Sequence, residues 1–284
     1  GWVKYIEHFY PEFLPNLSTC KSPQQMFGAV AKTYWARKIG KKPEDIFVVS
    51  VMPCIAKKFE AQRPEMNSSG QRDVDVAITT RELGDLIQQS RIDFLKLPDE
   101  APDRLLGTST GAADIFANTG GVMEAALRTV YEVITDRPLP TPDLRVPPIA
   151  GLEGVKVAEL KFENVQPEWA CLEGVTARVA VVHGLANAGR MVERVKSNPG
   201  EFLFIEVMSC PGGCIGGAGQ PRLTTDEIRT KRMAAIRSED AGKALRKSHD
   251  NPKVKQIYGE FLKFPLGHKS HELLHTKYAA QHGV

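Results

Sequence analysis

Residues 202–214 read F-L-F-I-E-V-M-S-C-P-G-G-C, an apolar run that ends in two cysteines, Cys210 and Cys214. Residues 46–54 read I-F-V-V-S-V-M-P-C and end in the same way at Cys54. Both runs are rich in β-branched and aromatic residues, which is typical of buried strands. In an open α/β sheet, ligands bind in the crevice outside the carboxyl ends of the strands. Two such strands would therefore present three thiols to a metal centre in that crevice.

Helix and strand signals alternate along the rest of the chain. Ser22-Pro23 opens a helix that ends at Gly40, with Gln25 completing a capping box, and Thr79 with Glu82 forms a second capping box. Further strands are predicted over 74–78 and 175–182, and further helices from 121 onward, over 185–195 and beyond 224.

This alternation predicts an α/β fold with two lobes, each a mostly parallel sheet flanked by helices. The metal centre would lie in the cleft between the lobes. We expect the internal boundary at roughly 110–150, because residues 137–148 contain five prolines and predict an irregular connector.

The composition is that of an ordinary globular protein. The chain has 284 residues, of which 42% are hydrophobic and 25% charged. Lys and Arg number 37 against 34 Asp and Glu, and an excess of three charges argues against a nucleic-acid partner. No apolar run reaches the roughly 20 residues of a membrane span, and no signal peptide is visible. We expect a cytoplasmic protein, with periplasmic export as the open alternative.

Five cysteines are too few, and odd in number, for a disulfide framework in a chain of this length. Three thiols at Cys54, Cys210 and Cys214 can hold zinc or three corners of an iron–sulfur cube. A cube normally takes four thiolates, so either Cys20 or Cys171 is recruited or the fourth ligand lies outside the chain. The plain interpretation of Cys20 and Cys171 is that they are small buried hydrophobic residues.

The neighbours of the three thiols suit an inorganic group. Met52 and Met208 provide soft, polarizable flanks. Lys57 follows Cys54 by three residues and can donate to an anionic ligand, whereas Lys58 is expected to lie in solvent. Glycines, which let backbone N–H groups approach a bulky anionic centre, stand at 212, 213, 216, 217 and 219.

These segments resemble the catalytic domain of the FeFe-hydrogenases, and the resemblance covers nearly the whole chain. V-M-P-C-I-A-K-K-F-E-A at 51–61 is similar to the family's second cysteine signature, and E-V-M-S-C-P-G-G-C-I-G-G-A-G-Q-P at 206–221 is similar to the third. K-S-P-Q-Q at 21–25 and T-G-G-V-M-E-A-A-L-R at 119–128 are also family-like.

The family's first signature is a pair of adjacent cysteines followed by Pro-Gly-Trp, and this chain opens on Gly1-Trp2. The resemblance therefore implies that those two cysteines, one of them the fourth cube ligand, lie immediately upstream. Residues 1–284 would form most of one H-cluster domain, without the ferredoxin-like domains that usually precede it.

The resemblance implies reversible reduction of protons to dihydrogen at an H-cluster, a 4Fe-4S cube joined to a diiron subcluster with carbonyl, cyanide and bridging dithiolate ligands. It implies that Cys54, Cys210 and Cys214 ligate the cube, with Cys214 also bridging to the diiron unit. Lys57 would bind a cyanide, and Ser18 would pass protons inward. The residues implied to line the diiron pocket are Pro23, Gln24, Met52, Phe116 and Met208.

The same resemblance implies partners and leaves alternatives open. The electron partner would be a ferredoxin or a flavin subunit that uses NADH, and the rest of the hydrogenase, or a small subunit, would carry accessory iron–sulfur clusters. A hydrogenase-like iron–sulfur assembly protein, which lacks the diiron site, is the main alternative. Lys57 favours the hydrogenase, because a cation there serves the diiron unit rather than the cube.

A second chemical motif lies near the end of the sequence. H-E-L-L-H at 271–275 matches the zincin pattern, in which His271 and His275 bind zinc and Glu272 acts as the base. A zinc protease would need a third ligand, such as His268 or His282. A solvated face on a terminal helix explains the same pattern.

Overall fold

Five strands form two separate β-sheets in the computed structural model, which describes residues 1–103, 105–140 and 154–281. The strands are β1 (Val49–Met52), β2 (Val76–Thr79), β3 (Val155–Lys161), β4 (Thr176–His183) and β5 (Phe204–Met208). The α-helices are α1 (Trp2–Phe9), α2 (Pro23–Val30), α3 (Ala36–Lys38), α4 (Ala56–Glu60), α5 (Thr80–Gln89), α6 (Gly111–Asp114), α7 (Gly121–Thr135), α8 (Leu185–Ser197), α9 (Asp226–Gly242), α10 (Pro252–Ile257) and α11 (His268–Leu274).

The first sheet is a parallel pair in which β1 lies beside β2, with Val49 opposite Val76 and Met52 opposite Thr79. Its core is a cluster of small and branched side chains: Ala31, Val48, Ala61, Val74 and Ala77. The helix before β1 is continuous, because a π-helical turn over Ala31–Trp35 joins α2 to α3. This confirms the helix predicted between Ser22 and Gly40.

The second sheet has the order β3-β4-β5 and carries a helix on each face. On one face α7 packs Met123, Leu127 and Tyr131 against the sheet. On the other face α8 packs Ala188 and Met191 against it. Strands β4 and β5 are parallel, whereas β3 is antiparallel to β4. The α/β architecture is confirmed, but the antiparallel strand β3 was not predicted from the sequence.

The helices that follow the second sheet, from α9 onward, pack on both lobes. Ile236 of α9 contacts the cluster of Ala112, Ile115 and Ala125 beside the second sheet. Leu273 of α11 packs with Ala29 of α2 beside the first sheet. The final helices therefore connect the two lobes rather than extending away from them.

Of the two predicted capping boxes, one is confirmed and one is wrong. The side chain of Thr79 accepts from the N–H of Glu82, and the carboxylate of Glu82 accepts from the N–H of Thr79. Ser22 does precede α2, but its hydroxyl donates to Glu60 Oε2 at 2.8 Å, and the side-chain amide of Gln25 has no hydrogen-bond partner among the described residues. A carboxylate from α4 competes successfully for the serine, which local sequence cannot show. Residues 141–148 of the predicted proline-rich connector lie outside the described residues.

Candidate metal centre

The thiols of Cys54, Cys210 and Cys214 line a single cavity of about 500 Å³. Cys54 stands two residues beyond the end of β1, and Cys210 two residues beyond the end of β5. All three cysteines are partly buried and free of disulfides. In the described part of the chain, no three His, Cys, Asp or Glu side chains are placed to hold one metal ion. The three thiols therefore suit a larger inorganic group better than a single ion.

A glycine-rich loop brings the two strand ends together. The N–H of Gly219 donates to the carbonyl of Pro53 at 3.0 Å. A Cβ atom on Gly217 would lie 2.0 Å from that carbonyl oxygen, and one on Gly219 would lie 2.9 Å from the nitrogen of Cys54. Only residues without a side chain allow this backbone-to-backbone contact. The sequence indicated close approach to an inorganic group, whereas the observed contact is with the end of β1.

The turn between Cys210 and Cys214 depends on two further glycines. Gly212 and Gly213 have φ angles of 76° and 89°, in the left-handed region that favours glycine. The N–H of Gly213 donates to the carbonyl of Cys210 at 3.1 Å. A Cβ on Gly213 would lie 2.6 Å from the nitrogen of Thr119. The cysteine turn therefore rests directly on the backbone that precedes α7.

The cavity disfavours ionisation of the Cys214 thiol. Burial raises the pKa of Cys214, and the ammonium of Lys57 opposes this effect in part. The two other cysteines also raise it. A metal binds the thiolate form, so a cation bound at Cys214 would offset the effect of burial on that thiol.

Lys57 shares the cavity wall with Glu60, one helical turn further along α4. The ammonium of Lys57 lies 3.5 Å from Glu60 Oε2. The same oxygen accepts from Ser22 Oγ at 2.8 Å and from Gln24 Nε2 at 3.0 Å. Ser50 Oγ donates to Gln24 Oε1 at 2.7 Å, so the buried amide is held at both ends. The sequence analysis missed Glu60, although its i+3 spacing from Lys57 on one helix face was the available signal.

Arg63 and Tyr278 occupy another part of the cavity wall. Arg63 makes a bidentate pair with Glu7, with N–O distances of 2.6 and 3.0 Å. Its guanidinium lies 5.9 Å from the centroid of the Tyr278 ring. The hydroxyl of Tyr278 donates to the carbonyl of Ser18 at 3.2 Å, and burial raises the pKa of Tyr278 to about 12. No motif in the sequence singled out these residues.

The predicted site residues divide into two groups by position. Besides the three cysteines, Lys57 and Met208 line the cavity. Gln24 lies just behind the wall and donates to the carbonyl of Lys57 at 3.2 Å. Met52 ends β1, and Phe116 packs against the cluster of Ala112, Ile115 and Ala125.

Pro23 is exposed at the start of α2, and Ser18 is exposed with its hydroxyl accepting from the N–H of Cys20 at 3.3 Å. Cys20 and Cys171 were expected to be buried, and this was wrong, since both thiols are exposed. Neither thiol lines the cavity.

The H-E-x-x-H segment does not form a preformed zinc site in the described residues. The rings of His271 and His275 lie 4.5 Å apart, but no third ligand accompanies them. His275 Nδ1 is instead 2.8 Å from Thr19 Oγ1. His282, one of the predicted third ligands, lies outside the described residues. Every described helix is too short or too polar to span a membrane.

Comparison with known proteins places this fold and site in one family. Residues 1–218 match the iron only hydrogenase large subunit, C-terminal domain, and residues 226–281 match the iron hydrogenase small subunit. The chain therefore belongs to the iron-only hydrogenase family. Regions that match large-subunit and small-subunit models are joined here in one polypeptide.

Individual relatives agree with this assignment. The chain is 50% identical to the NADP-reducing hydrogenase subunit HndD of Solidesulfovibrio fructosivorans, over 98% of this chain and 46% of the relative. It is 40% identical to iron hydrogenase 1 of Clostridium pasteurianum, over 98% and 47% respectively. A solved structure of the FeFe-hydrogenase HydA1 from Chlamydomonas reinhardtii superposes with a TM-score of 0.87 at 39% identity, covering 99% of this chain and 74% of that one. The chain spans about half the length of the curated relatives it matches.

Relatives of lower identity include proteins named for iron–sulfur cluster assembly. The cytosolic iron-sulfur assembly component 3 of Mus musculus is 31% identical over 99% of this chain and 57% of the relative. The family therefore includes proteins named for cluster assembly as well as hydrogenases.

Proposed function

We propose that this chain is the catalytic part of an FeFe-hydrogenase that reversibly reduces protons to dihydrogen. The observation that carries the proposal is the meeting of three free thiols, from the ends of two sheets, at one cavity that is not built for a single ion. Identities of 50% and 40% to proteins named hydrogenases support the same conclusion.

The residues present fit an H-cluster. Cys54, Cys210 and Cys214 would hold the 4Fe-4S cube, and Cys214 would also join it to the diiron unit. When bound, the group supplies the redox chemistry that combines two protons with two electrons. The protein supplies position and electrostatics, and the cavity wall next to the thiols is where the rest of the group would lie.

Lys57 would stabilise the anionic part of this group. A buried anionic ligand needs a donor to replace its lost hydration. Lys57 lies on the cavity wall, and Glu60 holds its ammonium from one side at 3.5 Å. Met208 shares this wall, whereas the lining roles of Pro23, Gln24, Met52 and Phe116 remain predictions.

Proton delivery through Ser18 also remains a prediction. Ser18 lies outside the cavity lining, but its carbonyl accepts the hydroxyl hydrogen of Tyr278, which does line the cavity. A hydroxyl can donate and accept at once, as a relay requires. Ser18→Ala should slow turnover while leaving the infrared spectrum of the cluster unchanged, and equal turnover would remove Ser18 from the path.

The fourth cube ligand is proposed to lie immediately upstream of Gly1. Gly1 and Trp2 line the same cavity as the three thiols, so a cysteine separated from Gly1 by the single proline of the family signature would lie close to it. Accessory iron–sulfur clusters, and a ferredoxin or a flavin subunit as the electron partner, would belong to the part of the protein outside this chain. The cytoplasmic location remains a prediction, and one relative is named as a periplasmic hydrogenase large subunit.

The decisive test is Cys214→Ala in the full-length, matured protein. Infrared spectroscopy of the wild type should show bands of iron-bound carbonyl and cyanide, and the variant should lose them together with hydrogen turnover. Cys171→Ala is the matched control, because its thiol is exposed and lies outside the cavity lining. Unchanged bands and iron content in Cys214→Ala would contradict the ligand assignment.

Iron–sulfur assembly is the second candidate, and relatives named for that role at 28–33% identity favour it. The same infrared measurement separates the two functions. A matured wild type that binds the cube but shows no carbonyl or cyanide bands would support the assembly role.

A further inference from the structure

Glu206 is a buried carboxylate that stands four residues before the first cysteine of the 210–214 turn. It lies in the centre of β5 and is 5% exposed. Oε1 accepts from the N–H of Gly120 at 2.6 Å, and Oε2 accepts from the N–H of Met123 at 2.7 Å. These N–H groups belong to the first turn of α7, which has no helical partner for them. Glu206 therefore caps α7 from the neighbouring strand.

The backbone that Glu206 binds also supports the cysteine turn. The N–H of Thr119 donates to the carbonyl of Gly212 at 3.1 Å, and Gly213 lies against residues 117–119. Gly120, which donates to Glu206, is the next residue along. The carboxylate thus connects β5 to the support on which Cys210 and Cys214 are placed.

The charge of Glu206 is not neutralised by a cation. Within the described residues its hydrogen bonds come from backbone N–H groups and not from a Lys, Arg or His side chain. Burial raises the pKa of Glu206, and the backbone N–H groups of Met123, Gly120 and Val122 oppose that rise by stabilising the carboxylate. The N-terminal end of α7 favours the anion. Glu206 stands on the strand that leads into Cys210, and the backbone it binds is continuous with the residues that support the cysteine turn. A buried negative charge without a counter-ion disfavours the addition of an electron to a group held at that turn.

We propose that Glu206 is a positioning residue that fixes the Cys210–Cys214 turn and whose charge lowers the reduction potential of the cube. This inference rests on the proposed function, because it requires a cube at Cys54, Cys210 and Cys214. Glu206 would thus make the cube harder to reduce although it is not one of the cube ligands.

The test is a redox titration of full-length protein that carries its cube but has not received the diiron unit. Electron paramagnetic resonance measures the reduced cube at each potential. In Glu206→Gln the midpoint potential of the cube should become more positive. At a fixed ambient potential the ratio of reduced to oxidised cube should then rise about threefold or more. Glu201→Gln is the control. Glu201 is near the start of the same strand but is paired with Arg178 and Arg194, so its loss should leave the midpoint unchanged.

Glu206→Asp separates the charge from the positioning. The shorter carboxylate keeps the charge but cannot reach both N–H groups, so we expect a midpoint close to the wild type with a lower iron content. A Glu206→Gln variant that holds the cube at the wild-type midpoint overturns the inference. If Glu206→Gln binds no cube, the midpoint potential of Glu206→Asp is the test instead. A midpoint in Glu206→Asp far from that of the wild type would then overturn the inference. A wild type that takes up no cube contradicts the proposed function instead.

Discussion

At the residue scale, the distance between Cys54 and the Cys210–Cys214 turn is set by glycines rather than by the cysteines themselves. Gly217 has φ and ψ angles of −62° and 150°, which any residue can adopt. Its requirement is steric, since a Cβ there would lie 2.0 Å from the carbonyl oxygen of Pro53. The smallest possible side chain would therefore push the glycine loop away from the end of β1 and from Cys54.

We expect Gly217→Ala to lower the free energy of unfolding by about 1–3 kcal/mol, the usual cost of overpacking. It should also reduce the iron bound, because Cys54 moves relative to Cys214. Chemical denaturation and iron analysis measure the two effects. Gly84→Ala is the control, since that helical glycine has open space around it and alanine favours a helix. Equal iron content and stability in both variants would show that the close contact is not required.

Lys57 and Lys58 are adjacent but have different surroundings. Lys57 lines the cavity, whereas Lys58 pairs with Glu82 and is 41% exposed. We expect Lys57→Gln to retain the cube but lose most of the carbonyl and cyanide bands, because the anionic part of the group loses its donor. Lys58→Gln should leave iron content and bands unchanged. Normal bands in Lys57→Gln would remove this lysine from the site.

At the element scale, helices α7 and α9 are joined by a buried ion network. Arg128 donates to both oxygens of Asp240 at 2.8 and 2.7 Å, and the side chain of Asp240 is 2% exposed. Asp240→Asn should lower the free energy of unfolding by about 3 kcal/mol, because it leaves the buried guanidinium short of a counter-charge. Chemical denaturation measures the loss.

Glu227→Gln provides the control on the same helix. Its partner Lys231 is 74% exposed, and an exposed pair of this kind contributes about 0.5 kcal/mol or less. If the two substitutions had equal effects on stability, the buried network would not be what holds α9 in place.

The Asp240 carboxylate makes the stability of the α7–α9 ion network depend on pH. Burial alone would raise the pKa of Asp240, but Arg128 and Arg246 outweigh burial and lower the pKa from 3.8 to about 2. A carboxyl with a lower pKa in the folded state stabilises the fold above its unfolded pKa, and this contribution is lost as the pH falls through the folded pKa. The stability difference between wild type and Asp240→Asn should therefore be constant above about pH 4 and shrink toward about pH 2. Denaturation curves across this range test the sign.

Local signals predicted the elements well, and long-range contacts decided the rest. The capping box at Thr79 and Glu82 is contained within four residues, so the sequence was sufficient. Ser22 failed as a capping-box residue because Glu60, 38 residues away, takes its hydroxyl. Strand β3 was missed because its Val-x-Val-x-x-Leu pattern lies directly after the proline-rich segment. The three cysteines were evident from the two Met-x-Cys strand ends, whereas Glu60, Arg63 and Tyr278 reach the cavity only through tertiary packing.

At the scale of the whole molecule, the region that matches the small-subunit model is an integral part of the core. Residues 226–281 contact the second lobe through Ile236 and the first lobe through Leu273. Thr276 also donates its N–H to the carbonyl of Thr19 at 2.8 Å, which brings the tail near the cavity wall at Tyr278. A chain that ended after the large-subunit match would expose apolar surface on both lobes.

One face of the first sheet has apolar side chains without a covering layer. Val49 and Val51 of β1 are 52% and 43% exposed, and Val76, opposite Val49 on β2, is 39% exposed. Phe47, two residues before β1, is 70% exposed. Parallel sheets are normally buried on both faces, and a two-stranded sheet is marginal alone. We expect a segment upstream of Gly1 in the longer polypeptide to cover this face. Residues 1–284 alone should therefore bind a hydrophobic dye strongly, and the longer polypeptide should bind much less.

Substitution of Val51 by Thr tests whether the exposed face of β1 binds the dye. In residues 1–284 alone it should reduce dye binding without loss of stability, because the side chain is partly in solvent. In the longer polypeptide the same change should cost about 1 kcal/mol or more of unfolding free energy, since the position would be buried there. Leu95→Ser is the control in both settings, because that side chain is 93% exposed and lies away from the sheet in sequence. Equal effects of Val51→Thr in the two polypeptides would show that no upstream segment covers β1.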